Sequence, residues 1–150
     1  ERFKGYKEAL AYNGFPYDEN LLIINDLSES AAIESAMQML NIDPLPDGVF
    51  ITNDFVAAVV MRTLKEHGIK IPEDIAIVGF NNDAICTLVE PALSTINYPG
   101  IDVGEVAAQN LINHLKGIGN MQNTNTIIIR SNLIIRKSSL KKEAIKKNKK

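Results

Sequence analysis

The sequence predicts a doubly wound α/β fold, a mostly parallel sheet with helices on both faces. Three observations predict it. Short apolar runs such as Leu21-Leu22-Ile23-Ile24, Val49-Phe50-Ile51 and Ile75-Ala76-Ile77-Val78 do not alternate with polar residues, as expected of strands buried on both sides. Between them lie longer segments with apolar residues at helical spacing. Gly, Pro and cap residues punctuate the joints, giving the strand-then-helix alternation of a parallel sheet.

The elements follow in order. Residues 2–13 carry Phe3, Tyr6 and Leu10 at helical spacing and stop at Gly14. The strand 21–24 comes next. Ser28 then caps a helix to about Leu40, with Ala32, Ile33, Ala36, Met37 and Leu40 on one face and Glu29 in its first turn. The loop 44–48 leads to the strand 49–51. Asp54 opens a helix with Val56, Val59, Val60 and Leu64 that ends at Gly68. Pro72-Glu73-Asp74 enters the strand 75–79, and a short helix covers about 83–89. After Pro91 come the strand 93–96 and a helix over about 101–116, and the strands 126–130 and 132–136 close the pattern. In such sheets ligands bind beyond the carboxyl ends of the strands. That rule selects the stretches 25–28, 52–54, 80–83 and 97–100.

With 150 residues, 45% of them hydrophobic and 23% charged, the composition is that of a globular protein with one core. No apolar run approaches the roughly 18–20 residues that cross a bilayer. The chain opens at Glu1 without Met and already in helical register, which suggests an excised fragment. The single cysteine, Cys86, excludes an internal disulfide and fits a reducing cytoplasm. From Lys141 onward there are six lysines and one glutamate, so the preceding body holds ten basic and seventeen acidic residues. An acidic body is a poor surface for duplex DNA. Residues 140–150 read as a basic disordered tail.

The chemistry of catalysis is absent. No phosphate-binding glycine pattern follows a strand, and Gly117-Ile118-Gly119 reads as a helix cap plus loop. His67 and His114 stand near helix ends without partners at metal spacing, so they read as surface residues that complement the helix dipole. Cys86, among Ile85, Thr87 and Leu88, reads as a small buried hydrophobe rather than a nucleophile. The expectation is no enzyme, no metal and no cofactor.

Several stretches in order resemble the LacI/GalR family of bacterial transcriptional regulators. Arg2-Phe3-Lys4-Gly5-Tyr6 is similar to the family's opening R-x-x-G-[FYW]. Residues 46–54, ending in Asn53-Asp54, resemble its P-D-A-hydrophobic-F-x-x-N-D run. Residues 68–80 resemble its segment ending in G-[FY], here Gly79-Phe80, followed by Asn81-Asn82-Asp83. Glu90-Pro91-Ala92-Leu93-Ser94-Thr95-Ile96 is similar to x-P-x-L-[ST]-T, and Arg136-Lys137-Ser138 to the closing R-x-S. The resemblance covers about residues 1–139.

It implies an effector-binding core like that of periplasmic binding proteins, two lobes closing on a small molecule, of which this chain is the C-terminal part. Residues 1–94 and about 125–139 would form one lobe, with strand order 2-1-3-4-5. Residues 95–124 would be the crossover and helix of the missing lobe. The apolar stripe Val103, Val106, Ala107, Leu111, Ile112 and Leu115 would then pack on a neighbouring chain or on its own sheet.

Family ligand positions carry over to Arg2, Asn53 and Asn81, and to Leu27 and Tyr98. Arg2 offers a rigid fork of donors, or else forms a surface salt bridge. Asn53 would aim amide groups at the cleft, Asp54 would cap the helix, and Gly79 would admit close backbone approach. The family usually has Asp where Asn81 stands, and often an aromatic residue at Leu27. Arg with two Asn suits a neutral polyhydroxylated effector, a sugar first and a purine second. Ala58, Arg62, Ile85, Leu88 and Val89 would form a homodimer surface, and a helix-turn-helix head outside this chain would read operator DNA. The alternative is a periplasmic-type sugar-binding protein of a transport or chemosensory system. A small α/β enzyme or signalling receiver would need a phosphoacceptor or phosphate loop at a strand end.

Overall fold

The computed structural model describes residues 2–118 and 126–141. Helix α1 spans Arg2–Tyr12, and a single 3-10 turn, Glu19–Leu21, follows. Helix α2, Glu29–Leu40, starts as its sequence dictates: Ser28 is extended and its Oγ accepts the Ala31 N–H at 3.2 Å, satisfying a first-turn amide. Its buried face is Ala32, Ser35, Ala36 and Met39. The expected Ile33 and Met37 are instead exposed. Small residues let α2 lie close against helix α3 (Asp54–Glu66). Ser35 is tolerated there because its hydroxyl donates to Ala31 O at 2.7 Å and meets Asn25 Nδ2 at 2.7 Å.

Helix α3 is gripped by α2 and the sheet together, so it is buried on more than one side, from Val56 through Met61 and again at Thr63 and Leu64. Strands β1 (Gly48–Phe50), β2 (Ala76–Asn81), β3 (Ser94–Asn97) and β4 (Asn132–Ile134) form one sheet in the order β1-β2-β3-β4. The first three are parallel and β4 is antiparallel. The mixed α/β class and parallel-rich sheet are as expected. On β2, Ile77 and Gly79 face α3, while Val78 and Phe80 alternate to the other side and are half-buried.

The strand order is not the expected one. Val49 pairs with Ile77 and Phe50 with Val78, so β1 neighbours β2 directly. The expected strand 21–24 does not form: the 3-10 turn absorbs Leu21, and Ile24 is 84% exposed. Asp18 sets up that turn by accepting the Asn20 N–H at 2.9 Å. The turn takes only Leu21, and Leu22 is already extended; residues 22–24 join no ladder, without which strand propensity has nothing to act on. Residues 126–130 likewise form no strand. β4 ends at Ile134 because Arg136 leaves the ladder to donate its N–H to Ser94 Oγ at 2.7 Å. Next to it Ser138, fully buried, donates to Ile77 O at 2.6 Å and accepts the Ser94 N–H at 2.8 Å. The closing Arg-x-Ser is therefore a clasp between β2 and β3.

Helix α4 is a single turn, Ile85–Leu88, and α5 runs Gly100–Leu115. No residue of α5 is buried, and Leu111, Ile112 and Leu115 are exposed. Packing of that stripe on its own sheet, one of the two expected outcomes, is not what the chain does. The expected basic tail lies, beyond Lys141, outside the described residues, as does the 119–125 part of the crossover.

Candidate functional site

Three strand ends meet at one rim. After β1 the chain turns at Thr52 and Asn53 into α3. Asn53 is extended, with φ −152°, and its Oδ1 accepts the Val56 N–H at 3.1 Å. The cap is therefore Asn53, not Asp54. This leaves Asn53 Nδ2 without a hydrogen bond among the described residues.

Asp54, the first helical residue, is fully buried. Its Oδ1 accepts the Thr95 hydroxyl at 2.7 Å and its Oδ2 the Asp83 N–H at 2.9 Å. The inward course of Asp54 has a steric cause. A Cβ at Gly79 would collide with the Asp54 carboxylate and press on Leu93, so the glycine opens the space into which Asp54 reaches. The close approach expected at Gly79 is real, and a side chain makes it. Cys86 lies alongside, fully buried. Burial, and then the Asp54 carboxylate that accepts from the thiol, push the thiol up to about 12, so it is a poor nucleophile at neutral pH.

The last residue of β2 and the one that follows it are unusual in their backbone. Asn81 and Asn82 both have positive φ, 122° and 63°, conformations that cost on the order of 1–3 kcal/mol each and persist only where neighbours impose them. Asn82 is held on three sides. Its N–H donates to Thr95 Oγ1 at 3.3 Å, its Nδ2 to Asn97 Oδ1 at 3.0 Å, and its Oδ1 accepts from Arg136 Nη2 at 2.9 Å. The Asn81 side chain makes no hydrogen bond among the described residues.

Arg2 reaches the same rim. Its Nη1 donates to Thr52 O at 3.2 Å, and its guanidinium carbon lies 4.0 Å from the centroid of the Phe80 ring. One side chain thus touches the residues immediately before Asn53 and Asn81. Tyr98, beyond the end of β3, leans on Phe80 at 6.2 Å between centroids, and Phe50 meets Phe80 edge-on at 6.4 Å. Arg2, Asn53, Asn81 and Tyr98 are accordingly gathered at the carboxyl ends of β1, β2 and β3. Leu27 is set apart. It has a φ of 63° and lines, with Arg2, Thr52 and the apolar residues of 21–25, a groove of about 450 Å³ beside β1. Asn53, Asn81 and Tyr98 do not line that groove.

Sequence reasoning missed Phe80 as the support of Arg2. It also missed the polar set Asn82, Thr95, Asn97 and Arg136. Polar residues at the ends of otherwise apolar strands were the available signal. Ala58, Arg62 and Val89, expected on a dimer surface, line a second groove of about 390 Å³ with Lys65 and Glu90. Next to it Ile85 is half-buried and Leu88 is 79% exposed. No group of His, Cys, Asp and Glu suited to a metal occurs among the described residues, and no described helix is long and apolar enough to cross a membrane.

Comparison with known proteins agrees with this architecture. Residues 1–139 match the family described as "Periplasmic binding protein-like domain". The HTH-type transcriptional regulator CelR of Thermobifida fusca is 31% identical over 117 residues, covering 78% of this chain and 34% of that protein. The HTH-type transcriptional repressor PurR of Vibrio atlanticus (strain LGP32) is 35% identical over 116 residues, covering 77% and 35%. The chain thus spans about a third of the length of these relatives. A solved structure of a transcriptional regulator CelR–cellobiose complex superposes with a TM-score of 0.82 at 28% identity, covering 93% of this chain and 42% of the other. The chain belongs to the periplasmic binding protein-like domain family, in the form carried by LacI-family transcriptional regulators.

Proposed function

We propose that this chain is the ligand-sensing and dimerisation part of a LacI-type bacterial transcriptional repressor. In this reading a small effector sits at the rim and controls operator binding by a helix-turn-helix head outside the chain. Residues 1–94 and 125–139 belong to one lobe, and 95–124 supply the crossover and a helix of the opposite lobe, against which the exposed stripe of α5 packs. The single observation that carries the reading is the placement of Arg2, whose guanidinium rests on Thr52 O and Phe80 and so stands beside Asn53 and Asn81. The relatives are transcriptional regulators, which favours a cytoplasmic regulator without catalytic activity over a transport or chemosensory binding protein.

A sugar is the preferred effector class. Asn53 Nδ2 and the whole Asn81 amide are unspent, and Arg2 adds charged donors, a set that matches vicinal hydroxyls. Phe80 and Tyr98 add apolar ring surface at the same rim. The cellobiose bound to CelR supports this class. A purine comes second. The test is calorimetric titration of the protein carrying this domain with cellobiose, other disaccharides and purine bases. Arg2→Ala should weaken binding of the effector so found by about 1.5–3 kcal/mol, the range for a hydrogen bond to a charged group. Unchanged affinity in both Arg2→Ala and Asn81→Ala would sink the site.

A further inference from the structure

We infer that Arg136 and Asn82 are positioning residues that clamp the turn directly after Asn81, the last residue of β2, so that the Asn81 side chain is presented at the rim. The inference deepens the effector-binding reading and rests on it for the role of Asn81.

The clamp is built from three parts of the chain. Arg136 lies just beyond β4, and Thr95 and Asn97 lie on β3. All three bond Asn82: its N–H donates to Thr95, its Nδ2 donates to Asn97 and its Oδ1 accepts from Arg136. Arg136 is itself anchored: Nη1 donates to Leu93 O at 2.8 Å and its backbone N–H to Ser94 Oγ at 2.7 Å. One planar guanidinium therefore bridges the start of β3 and the loop after β2, which a lysine, with one donor centre, cannot span in the same way. On the far side Asp54 holds the Asp83 N–H. Each residue flanking the bend is fixed from a different element.

What is held is a pair of consecutive residues with positive φ. Such a pair relaxes to ordinary backbone unless the surroundings over-determine it. Asn82 uses both ends of its side-chain amide within the protein, while the Asn81 amide makes no hydrogen bond among the described residues. That division fits a loop in which one residue is the anchor and its neighbour is offered outward. Because β3 leads out toward α5 and β4 follows the crossover, the clamp also fixes the loop to both strands flanking that excursion.

The test uses the whole protein that carries this domain, with two readouts. Amide hydrogen exchange is followed at Asn82 and Asp83 against Ile77 and Val78, and cellobiose is titrated by calorimetry. Arg136→Leu should speed exchange at Asn82 and Asp83 at least tenfold, leave Ile77 and Val78 near wild type, and weaken cellobiose binding by a similar factor, with Arg136→Lys intermediate. Asn82→Gly separates clamp from backbone. Glycine accepts the positive φ, so if only the bend mattered binding would be kept, whereas loss of the anchors should weaken it. Unchanged exchange at Asn82 and Asp83 in Arg136→Leu, or a speeding shared equally by Ile77 and Val78, overturns the clamp. Asn81→Ala that leaves cellobiose binding intact, or a protein that does not bind cellobiose, counts against the effector reading instead. In that case the exchange pattern still decides the clamp.

Discussion

The Thr95 hydroxyl donates a 2.7 Å hydrogen bond to Asp54 Oδ1, joining the middle of β3 to the first residue of α3 across 41 positions of sequence, with both residues fully buried. Asp54 also takes the Asp83 N–H, so one carboxyl group joins the start of α3, the segment after β2 and β3. Asp54→Ala strips the fully buried Thr95 hydroxyl of its short acceptor and the Asp83 N–H of its partner, and a buried polar group left unpaired costs about 1–3 kcal/mol. Urea unfolding should show a loss of at least about 2 kcal/mol. A loss within about 0.5 kcal/mol, the scale of an ordinary surface change, would deny Asp54 this role.

Gly79→Ala should be destabilising, because the new methyl group meets the Asp54 carboxylate and Leu93. Overpacking of this kind typically costs about 1–3 kcal/mol. Gly5→Ala is the natural contrast. It lies within α1, with nothing near its Cβ position, and should gain about 0.5–1 kcal/mol from helix propensity. Equal effects at the two glycines, measured by thermal or urea unfolding, would contradict the packing at Gly79.

The Cys86 thiol is held up to about 12 against an ordinary 9.0. In the folded protein the proton stays on where the unfolded chain has lost it. The stability this contributes is complete below pH 9 and falls as pH rises from 9 toward 12, with a limiting slope of about 1.4 kcal/mol per pH unit. Unfolding measured across that window should be steeper in wild type than in Cys86→Ala, which removes the titrating group. Parallel pH profiles would mean that the thiol is not buried as described.

Dimerisation is proposed through the groove lined by α3 and the residues Val89 and Glu90 that follow α4. Leu88, 79% exposed, directly precedes Val89, and an exposed large apolar group there gains from a second copy. Leu88→Asp should convert a dimer to monomers in light scattering without lowering the unfolding midpoint of the monomer. A dimer mass retained in Leu88→Asp removes this surface from consideration.

Legible in the sequence alone were the helices, the runs that became β1 to β4, the Ser28 cap, the end of α3 near Gly68 and the places of Asn53 and Asn81 at strand ends, though not that 21–24 and 126–130 would stay outside the sheet. Caps and helix stops are decided by side chains reaching amides two or three residues away, so local order suffices to read them. What it could not determine were relations between distant segments. Whether residues 21–24 pair with β1 depends on a ladder that local order does not supply, and β1 instead pairs with β2 alone. Asn53 makes the cap expected of Asp54, and Asp54 turns inward because Gly79, twenty-five positions on, leaves room for a carboxylate that Thr95 and Asp83 then hold. Asn82 and Arg136 are ordinary polar residues in the one-dimensional text. Only the folding of β4 against β3 brings them within 2.9 Å, because the partners of a buried polar group are chosen by packing rather than by sequence neighbourhood.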